Sequence, residues 1–444
     1  MRNQSINVAF NLQNGKRKSK HILLATTGSF GDVFPFIALA LELQARRYRV
    51  TIATNEIHRH LIESEGVEFR AIKPDGYIDA KQVGQFIQLL SESGQMLDYG
   101  ISYLTIPHLR ATYSDLMETA READLLITHP LICAGILVAE KTGIPRISTI
   151  LSPVSFLSAY GSPDGSATPS SAYEKALTLV AKDNYYRRLR WQTRYWSAPV
   201  RQLRAELGLP PSSDALFEGQ HSPELVLALF SKVFAPAQPD WPPQTRVTGF
   251  PFFSSRKSKG LSLELEKFLQ AGSPPIVFTL GSLMVWAPGN FYFEGAIAAA
   301  QLGFRCVLLM GLGAHSVPAE QLPPGAYAVD FAPHEAIFPR AAAIVHHGGV
   351  GTTAQALRAG RPMLVIPHAF DQPDNAARLI RLGVARMLER QHGTASRIAT
   401  ELQSLLFDST YATKAAEVGR LLQAEDGVGT ACDEIEAHLL RCSR

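Results

Sequence analysis

The stretch AAIVHHGGVGTTAQALRAGRPMLVIPHAFDQPDNAAR, residues 342–378, decides the fold of the second half of the chain. An apolar run leads into HHGG, and a run with helical periodicity begins near Gly351. A second apolar run, PMLVIPH, then leads into a polar loop that contains Asp371 and Gln372. This order of strand, loop, helix, strand and loop predicts a βαβ unit of a parallel sheet covered by helices.

The first loop of this stretch has the chemistry of an anion site. His347 and Gly349 follow a strand, and Gly351, Thr352 and Thr353 open a helix whose unpaired N–H groups and positive dipole end point back at the loop. Glycines let the backbone come close to a ligand, and hydroxyl and imidazole groups can donate to anionic oxygens. The expected ligand is a phosphate. The alternative is a tight strand-to-helix turn capped by a threonine.

Two further loops follow apolar runs in the same way. Asp371 and Gln372 offer several acceptors and two donors, which suits vicinal sugar hydroxyls. The alternative for this loop is a helix N-cap at Asp371. FTLGS places Gly281 and Ser282 in a glycine turn, which is a less specific pattern because such turns are common.

The first half of the chain repeats the alternation of strands and helices. Residues 21–55 read as strand, glycine-containing loop, helix and strand, and residues 123–153 continue the pattern. Residues 234–253 contain five prolines, which remove backbone donors and mark an inter-domain joint. The predicted fold class is therefore α/β, with two doubly wound, Rossmann-like domains that face each other across a cleft at the carboxyl ends of their strands.

This pattern divides the chain into four segments. Residues 1–20 are predicted to be a flexible tail, 21–235 a first domain, 236–272 a linker and 273–444 a second domain whose last helices are free to pack back on the first. A chain of 444 residues exceeds the roughly 250–300 residues at which a single core stops growing, which supports two domains.

Composition limits the partners and the cellular location. With 46% hydrophobic residues, 19% charged residues and a formal charge of +3, the chain is typical of a globular protein without a nucleic-acid partner. The four cysteines have no zinc-site or CxxC spacing and are predicted to be free thiols. The absence of a long apolar stretch and of a leader pattern predicts a cytoplasmic protein. Segments 84–104 and 184–200 mix apolar and basic residues, which suits either ordinary packed helices or an acceptor pocket at the inner face of a membrane.

Other nucleotide chemistries fit the motifs poorly. GSFGDV lacks the third glycine of the dinucleotide fingerprint, and no acidic residue follows at the expected distance. No GxxxxGK[ST] motif occurs in the chain. Hydride transfer and P-loop chemistry are therefore disfavoured.

The motif HHGGVGTTAQALRAG…P…DQPDNAARL resembles the donor site of the inverting GT-B glycosyltransferases, which include sterol, macrolide and plant small-molecule glycosyltransferases. The likeness extends through nearly the whole chain after residue 20. Within the family, GSFGDVFPFIALA, RQLRAELGLPP, FAPAQPDWPPQTRVTGFP and GTTAQALRAGRP resemble most closely the bacterial rhamnosyltransferases of rhamnolipid synthesis.

The resemblance implies a role for each donor-loop residue, with a nucleoside diphosphate sugar as co-substrate and no cofactor. The residues that would bind the diphosphate are Gly281, Ser282, His347, Gly349, Gly351, Thr352 and Thr353, and those for the sugar hydroxyls are Asp371 and Gln372. Phe331 and His334 stand where plant relatives have a base-stacking Trp and a Gln. Gln355 replaces a ribose-binding Glu, which leaves both UDP-glucose and dTDP-rhamnose open as donors.

The resemblance also implies that the first domain binds a lipophilic or small-molecule acceptor and supplies the base. Asp32 in GSFGDVFP is the expected base, with His129 as the alternative, and either residue would act as partner to the other. The ordinary reading of an Asp at this place is a helix cap. No metal site is expected. Two other functions remain open from the residues: a non-catalytic nucleotide-sugar-binding protein and a sugar-nucleotide epimerase.

Overall fold

The computed structural model describes residues 19–74, 100–160, 184, 187–255, 257, 260–311 and 321–442. The first sheet is built from seven strands: β1 (His21–Ala25), β2 (Arg49–Thr54), β3 (Glu68–Ala71), β4 (Leu125–Thr128), β5 (Arg146–Ile150), β6 (Val226–Ala228) and β7 (Thr245–Val247). Their spatial order is β3-β2-β1-β4-β5-β6-β7, and each neighbouring pair is parallel. The α-helices of this half are α1 (Phe30–Ala45), α2 (Arg59–Ser64), α3 (Leu109–Ala120), α4 (Ala134–Thr142) and α5 (Arg194–Glu206).

The second sheet has six parallel strands. They are β8 (Ile276–Thr279), β9 (Cys306–Leu309), β10 (Ala326–Val329), β11 (Ala343–His346), β12 (Met363–Val365) and β13 (Ala385–Met387), in the order β10-β9-β8-β11-β12-β13. The helices are α6 (Leu263–Gln270), α7 (Phe291–Gln301), α8 (His334–Ile337), α9 (Val350–Ala359), α10 (Gln372–Arg381), α11 (Ala395–Phe407), α12 (Ser409–Gln423) and α13 (Gly427–Cys442). The prediction of two doubly wound α/β domains is confirmed.

The strand register brings the predicted loops together. Ala25 at the end of β1 pairs with Ala53 of β2 and Thr128 of β4, so the loops after these three strands leave the first sheet side by side. In the second sheet His346 pairs with Thr279 of β8 and Val365 of β12, so the loops after β8, β11 and β12 also meet at one edge. Central strands such as β1 and β11 are buried along their whole length, which explains their continuous apolar sequence.

The segment predicted as a linker, 236–272, contains two regular elements. β7 pairs with β6 and extends the first sheet, and α6 buries Leu265 and Leu269 in the same core as Val277. β7 was not predicted because it lies in a proline-rich segment. An edge strand tolerates flanking prolines, and three residues are too few to show a hydrophobic period.

The last helix returns to the first domain. In α13, Ala431, Cys432, Ile435 and Leu439 join the buried cluster around α1. α13 is the third of the three helices that end the described chain, after α11 and α12. Among the residues described, no helix is long and apolar enough to cross a membrane. Residues 1–18 and most of the segment 84–104 lie outside the described residues.

Two chain segments cross between the sheets and contact each other. The first crossing follows β7, and the second leads from α12 into α13. A Cβ atom on Gly427 would lie 2.5 Å from the carbonyl oxygen of Phe250, and one on Gly249 would lie 2.9 Å from Cα of Gly427. The two backbones can approach this closely because both positions are glycine.

Candidate active site

Asp32 divides its carboxylate between two partners. It occupies the third position of α1, and its Oδ2 accepts hydrogen bonds from the amide of Ser29 at 2.8 Å and from the Ser29 hydroxyl at 3.2 Å, which forms a capping box. Its Oδ1 lies 3.5 Å from Nε2 of His129, and the side chain is 33% exposed. The cap and the cleft-facing role are therefore compatible, since each uses a different oxygen.

His129 follows β4 and is buried against the same loop. Its Nδ1 accepts a hydrogen bond from the amide of Leu131 at 3.2 Å, so the proton of the neutral ring sits on Nε2. That Nε2 faces Asp32, and the ring therefore acts as a donor toward the carboxylate. In this arrangement neither ring nitrogen of His129 has a free lone pair for an incoming proton.

Asn55 and His58, which follow β2, support the loop that carries Asp32. Oδ1 of Asn55 accepts from the hydroxyl of Thr27 at 2.8 Å and from the amide of Gly28 at 3.3 Å. Nε2 of His58 donates to the carbonyl of Gly28 at 2.9 Å, and burial lowers the pKa of this imidazole. These contacts fix the loop between β1 and α1 from its neighbour in the sheet.

His347 lies between two glycines of adjacent loops. A Cβ on Gly281 would lie 2.5 Å from Cε1 of the ring, and a Cβ on Gly349 would overlap Nε2. The ring is buried, and its Nδ1 has no hydrogen-bond partner within the described part of the chain. The loops after β8 and β11 thus enclose one imidazole.

The histidines of this region are neutral. Burial lowers the pKa of His346 to about 3 and that of His368 to about 4, and it holds the pKa of His347 well below its usual range. Nδ1 of His346 accepts from the amide of Gly348 at 3.1 Å, which tightens the turn. Positive potential at this loop therefore comes from backbone N–H groups and the dipole of α9 rather than from imidazolium charge.

The start of α9 has unused donors. Gly349 is the N-cap residue and provides no side-chain cap. The hydroxyl of Thr353 donates to the carbonyl of Gly348 at 3.4 Å, and no side-chain hydrogen bond caps the helix. Thr352 and Thr353 are both buried. The threonine-capped turn considered as an alternative is thus not what the structure shows, and the helix end is open to an anion.

Asp371 belongs to a hydrogen-bonded group that includes both domains. It is the N-cap residue of α10, but its side chain makes no capping bond; its Oδ2 accepts instead from Nδ2 of Asn375 at 2.8 Å. The same Nδ2 donates to the carbonyl of Gly348 at 2.9 Å, and Oδ1 of Asn375 accepts from the hydroxyl of Ser152 at 3.3 Å. Burial, with a contribution from the charge of Asp32, raises the pKa of Asp371 to about 6.

Gln372 presents one end of its amide to the loop. Its Oε1 accepts from the amides of His368 at 2.7 Å and Ala369 at 2.9 Å, so the NH₂ group is the end that can donate to a ligand. Just before the pair, Phe370 is 45% exposed and has φ 57°, a backbone conformation that is rare for a bulky residue.

The two domains approach each other at these loops. A Cβ on Gly351, at the start of α9, would lie 3.9 Å from Cα of Gly31, at the start of α1. Asp32 and Asp371 are near enough for their charges to interact, as the raised pKa of Asp371 indicates. The predicted base and the predicted sugar-binding carboxylate therefore face one another across the cleft.

The residues predicted to bind the nucleoside are more dispersed. Phe331 follows β10 at the far edge of the sheet and is 67% exposed. His334 begins α8 and stacks on Phe338 at 4.3 Å, and burial lowers its pKa to about 4. Gln355 lines a cavity of about 560 Å³ together with Phe252, Ser254, Glu335 and Arg358. Ser282 is partly exposed after β8.

Comparison with known proteins identifies the family. The glycosyltransferase family 28 N-terminal domain matches residues 22–160, and the erythromycin biosynthesis protein CIII-like C-terminal domain matches residues 305–427. The chain is 34% identical over 432 residues to the O-mycaminosyltylonolide 6-deoxyallosyltransferase of Streptomyces fradiae, which covers 94% of this chain and 96% of that protein. The chain belongs to the GT-B glycosyltransferases.

The glycosyltransferase also matches part of longer fungal enzymes. It is 29% identical over 432 residues to a sterol 3-beta-glucosyltransferase of Emericella nidulans, which covers 93% of this chain but 30% of that protein. The likeness to the rhamnosyltransferases of rhamnolipid synthesis stays a prediction.

Solved structures confirm the GT-B fold. The crystal structure of the glycotransferase of kitacinnamycin superposes with a TM-score of 0.71 at 21% identity, covering 95% of this chain and 99% of that chain. The glycosyltransferase VinC in complex with dTDP superposes with a TM-score of 0.63 at 19% identity, covering 95% and 100% of the two chains.

Within this glycosyltransferase, the predicted residues separate into those the structure brings together and those it does not. The loops of Asp32, His129, His347, Asp371 and Gln372 meet at the cleft, whereas Phe331 lies at the edge of the second sheet and Gln355 lies on α9 beyond its first turn. No motif in the sequence pointed to the supporting residues Asn55, His58, Ser152 and Asn375, or to the strained backbone of Phe370. Only the spacing of Asn375 was a signal, since it follows Asp371 by one helical turn.

Proposed function

We propose that this glycosyltransferase inverts the anomeric centre as it moves a hexose or deoxyhexose from a nucleoside diphosphate sugar to a hydroxyl of a lipophilic or natural-product acceptor, without a metal ion. The observation that carries this proposal is the placement of Asp32 of the first domain opposite the open N-terminus of α9 and His347 of the second. A base and an anion site on opposite sides of a cleft suit displacement of a diphosphate by a hydroxyl from the other face of the sugar.

Asp32 is the proposed base. Its Oδ1 keeps a lone pair that can take the proton of the acceptor hydroxyl as that hydroxyl attacks the anomeric carbon, and its Oδ2 stays in the capping box with Ser29. His129 donates from Nε2 toward Oδ1 and so orients the carboxylate. A positioned base typically contributes about 10²–10⁴-fold in rate.

The departing diphosphate is stabilised by groups already in place. The first-turn amides of α9 and the buried imidazole of His347 would donate to its oxygens as negative charge develops there, with Gly281 and Ser282 on the neighbouring loop. The site needs no rearrangement to do so because the strands beneath these loops are in register. Asp371 and the NH₂ group of Gln372 would hold the sugar hydroxyls.

We propose a dTDP-activated 6-deoxyhexose such as rhamnose as the donor, with UDP-glucose as the alternative. Three facts support this choice. Gln355 replaces an acid that would accept from ribose hydroxyls, one relative is named for transfer of a 6-deoxyallosyl group, and one similar structure holds dTDP. In this proposal Phe331 and His334 contact the base, and Gln355 contacts the sugar of the nucleoside.

The acceptor is proposed to bind the first domain. Its reacting hydroxyl would then lie next to the cleft-facing loops that follow β1 and β4. Trp191 and Tyr195, from the predicted basic-aromatic segment, are 65% and 54% exposed. Their exposure supports peripheral contact with the inner face of a membrane, where a lipophilic acceptor would be available to a cytoplasmic enzyme.

A donor panel tests the proposal. The purified protein is given dTDP-rhamnose, UDP-glucose or UDP-glucuronate with a mixed pool of lipid and phenolic acceptors, and released nucleotide and new glycosides are measured. We expect acceptor-dependent release of dTDP and a product of inverted configuration by NMR. Binding of donor without release under every acceptor would support the non-catalytic alternative, and a changed sugar on intact nucleotide would support the epimerase.

A further inference from the structure

A second cluster of reactive side chains lies where the last helix meets the first sheet. His438 and Cys442 are one turn apart on α13, and Glu224 precedes β6. Nε2 of His438 is 2.9 Å from Oε2 of Glu224, and Sγ of Cys442 is 3.4 Å from the same Nε2 and 3.9 Å from the same Oε2. Nitrogen, sulfur and oxygen atoms thus converge on one point.

These separations match the edges of a tetrahedral zinc site. Zinc binds His nitrogen and carboxylate oxygen at about 2.0–2.2 Å and Cys sulfur at about 2.3 Å, so neighbouring ligand atoms stand about 3.3–3.8 Å apart. The two distances to sulfur are already close to this range. Only the His438–Glu224 contact, now a hydrogen bond, would have to open by about half an ångström on metal binding.

We propose that Glu224, His438 and Cys442 bind a divalent ion of the Zn²⁺ class, with water in the fourth position. A carboxylate, a neutral imidazole and a thiolate carry two negative charges, which balance the charge of the ion. The ion enters as the Cys442 thiol loses its proton to solvent and as the Nε2 proton of His438, which now faces Glu224, is exchanged through solvent for one on Nδ1. One S–H bond and one N–H bond are broken, one N–H bond is formed, and no electrons are transferred. The thiolate ligand selects zinc, cobalt or copper over magnesium or calcium.

The exposure of the three side chains suits metal entry. His438 is buried with its side chain 4% exposed, which fixes one ligand, whereas Glu224 is 46% exposed and Cys442 is exposed. The metal would provide the stabilisation that the thiolate needs.

The site has a structural consequence. α13 follows the second domain in sequence but packs on α1, and Glu224 leads into β6 of the first sheet. A metal bound by both would fasten the final helix to the first domain. This role is independent of the donor cleft, and therefore independent of the proposed transfer reaction.

Cobalt provides the direct test. The full chain, freed of any tag and treated with chelator, is titrated with Co²⁺ while the thiolate-to-cobalt charge-transfer band is recorded, and Zn²⁺ is then added as competitor. We expect saturation at one equivalent and loss of the band as Zn²⁺ displaces cobalt. A wild-type protein without a thiolate band at stoichiometric Co²⁺ overturns the proposal.

Variants and one control complete the experiment. Cys442→Ser is expected to abolish both the band and the gain in melting temperature from Zn²⁺, and Glu224→Gln to weaken binding at least about tenfold. The control is His392→Ala, which removes an exposed histidine 3.5 Å from Glu389 on the second domain and should bind cobalt as the wild type does. If Cys442→Ser keeps the band and the zinc-dependent gain in melting temperature, the site lies elsewhere and the assignment is wrong.

Discussion

At the scale of single residues, Asp32 shows how one carboxylate can serve structure and chemistry together. Oδ2 satisfies the amide and hydroxyl of Ser29 at the start of α1, and Oδ1 faces His129 and the cleft. Asn can take over the first task because it also offers an oxygen acceptor, but it cannot take up a proton at neutral pH. The two tasks are therefore separable by substitution.

The first prediction uses that separation. Asp32→Asn is expected to lower turnover by about 10²–10⁴-fold while the melting temperature and nucleotide affinity stay close to those of the wild type. Ser29→Ala is the control for the cap and should lower the free energy of unfolding by about 1 kcal/mol. Steady-state kinetics and thermal unfolding provide the measurements. Full turnover in Asp32→Asn, combined with an inactive His129→Ala, would move the base to His129.

The second prediction concerns pH and Asp371. Its pKa of about 6 in the folded protein lies above the unfolded value of about 3.9, so the native state binds more protons between these values and stability falls as pH rises from about 4 to about 6. Asp371→Asn removes this loss and should be more stable than the wild type by roughly 2–3 kcal/mol at pH 7, with little difference at pH 4.

Unfolding of the Asp371→Asn variant and the wild type across this pH range is the measurement. Groups that titrate alike in both proteins cancel in the difference. A stability difference that does not change between pH 4 and pH 7 would show that Asp371 ionises normally in the folded protein. The gain should accompany a weaker donor affinity, since the variant loses a charged acceptor for sugar hydroxyls.

The third prediction tests the position of His347. Gly349 has an ordinary extended backbone, so alanine is conformationally allowed there, but its Cβ would overlap Nε2 of the imidazole. We expect Gly349→Ala to displace the ring and lower kcat/KM for the donor by about 10²–10³-fold. Gly351→Ala, whose Cβ meets only Gly31 at 3.9 Å, should have a smaller effect. Equal kinetics for the two variants would contradict the placement of the ring.

At the scale of elements, Asn375 joins three loops. It is on the first turn of α10, after β12, yet it holds the carbonyl of Gly348 after β11 and contacts Ser152 after β5 of the other sheet. The side-chain amide of Asn375 thus connects three parts of the molecule: the proposed diphosphate loop, the proposed sugar-binding carboxylate and the first domain.

The fourth prediction follows from this connection. Asn375→Ala removes the Nδ2 donor that the Gly348 carbonyl and the Asp371 carboxylate share, and the loss should be about 1–3 kcal/mol in stability together with a higher donor KM. Ser152→Ala removes only the bond between the domains and should cost about 0.5–1.5 kcal/mol. Thermal unfolding and donor saturation curves distinguish the two. An unchanged donor KM in Asn375→Ala would refute its positioning role.

The sequence predicts local elements better than it predicts such connections. Apolar runs between glycine loops located β1, β4, β11 and β12, because buried parallel strands are apolar on both faces. Asp32 and His347 were found because their loops follow these strands. Ser152 was not found, since it lies 223 residues from Asn375 and no spacing rule relates positions so far apart. β7 was missed because three residues show no period.

At the scale of the whole molecule, the two crossings between the domains form one contact. Gly249 and Gly427 let the backbones touch, and the buried face of α13 then covers α1. Sequence analysis allowed the last helices to return to the first domain but had no means of locating the contact, because it depends on the absence of two side chains rather than on a motif.

The fifth prediction tests the contact. Gly427→Ala would place a methyl group 2.5 Å from the carbonyl oxygen of Phe250, and we expect a loss of about 1–3 kcal/mol in stability with higher KM values for donor and acceptor. Gly272→Ala is the matched control, since its Cβ would meet only the flexible side chain of Arg305 at 3.2 Å. If both variants unfold at the wild-type temperature, the close approach at Gly427 is not required.

A pair of touching crossings also determines how the domains can move. A single connection would allow one domain to twist or slide against the other, whereas two connections pinned at the same point permit mainly rotation about an axis through that point. The loops of Asp32 and His347 belong to different domains, so a rotation at Gly249 and Gly427 changes the distance between base and diphosphate. We therefore expect opening and closing to change the gap across the sugar while leaving each half of the site internally rigid.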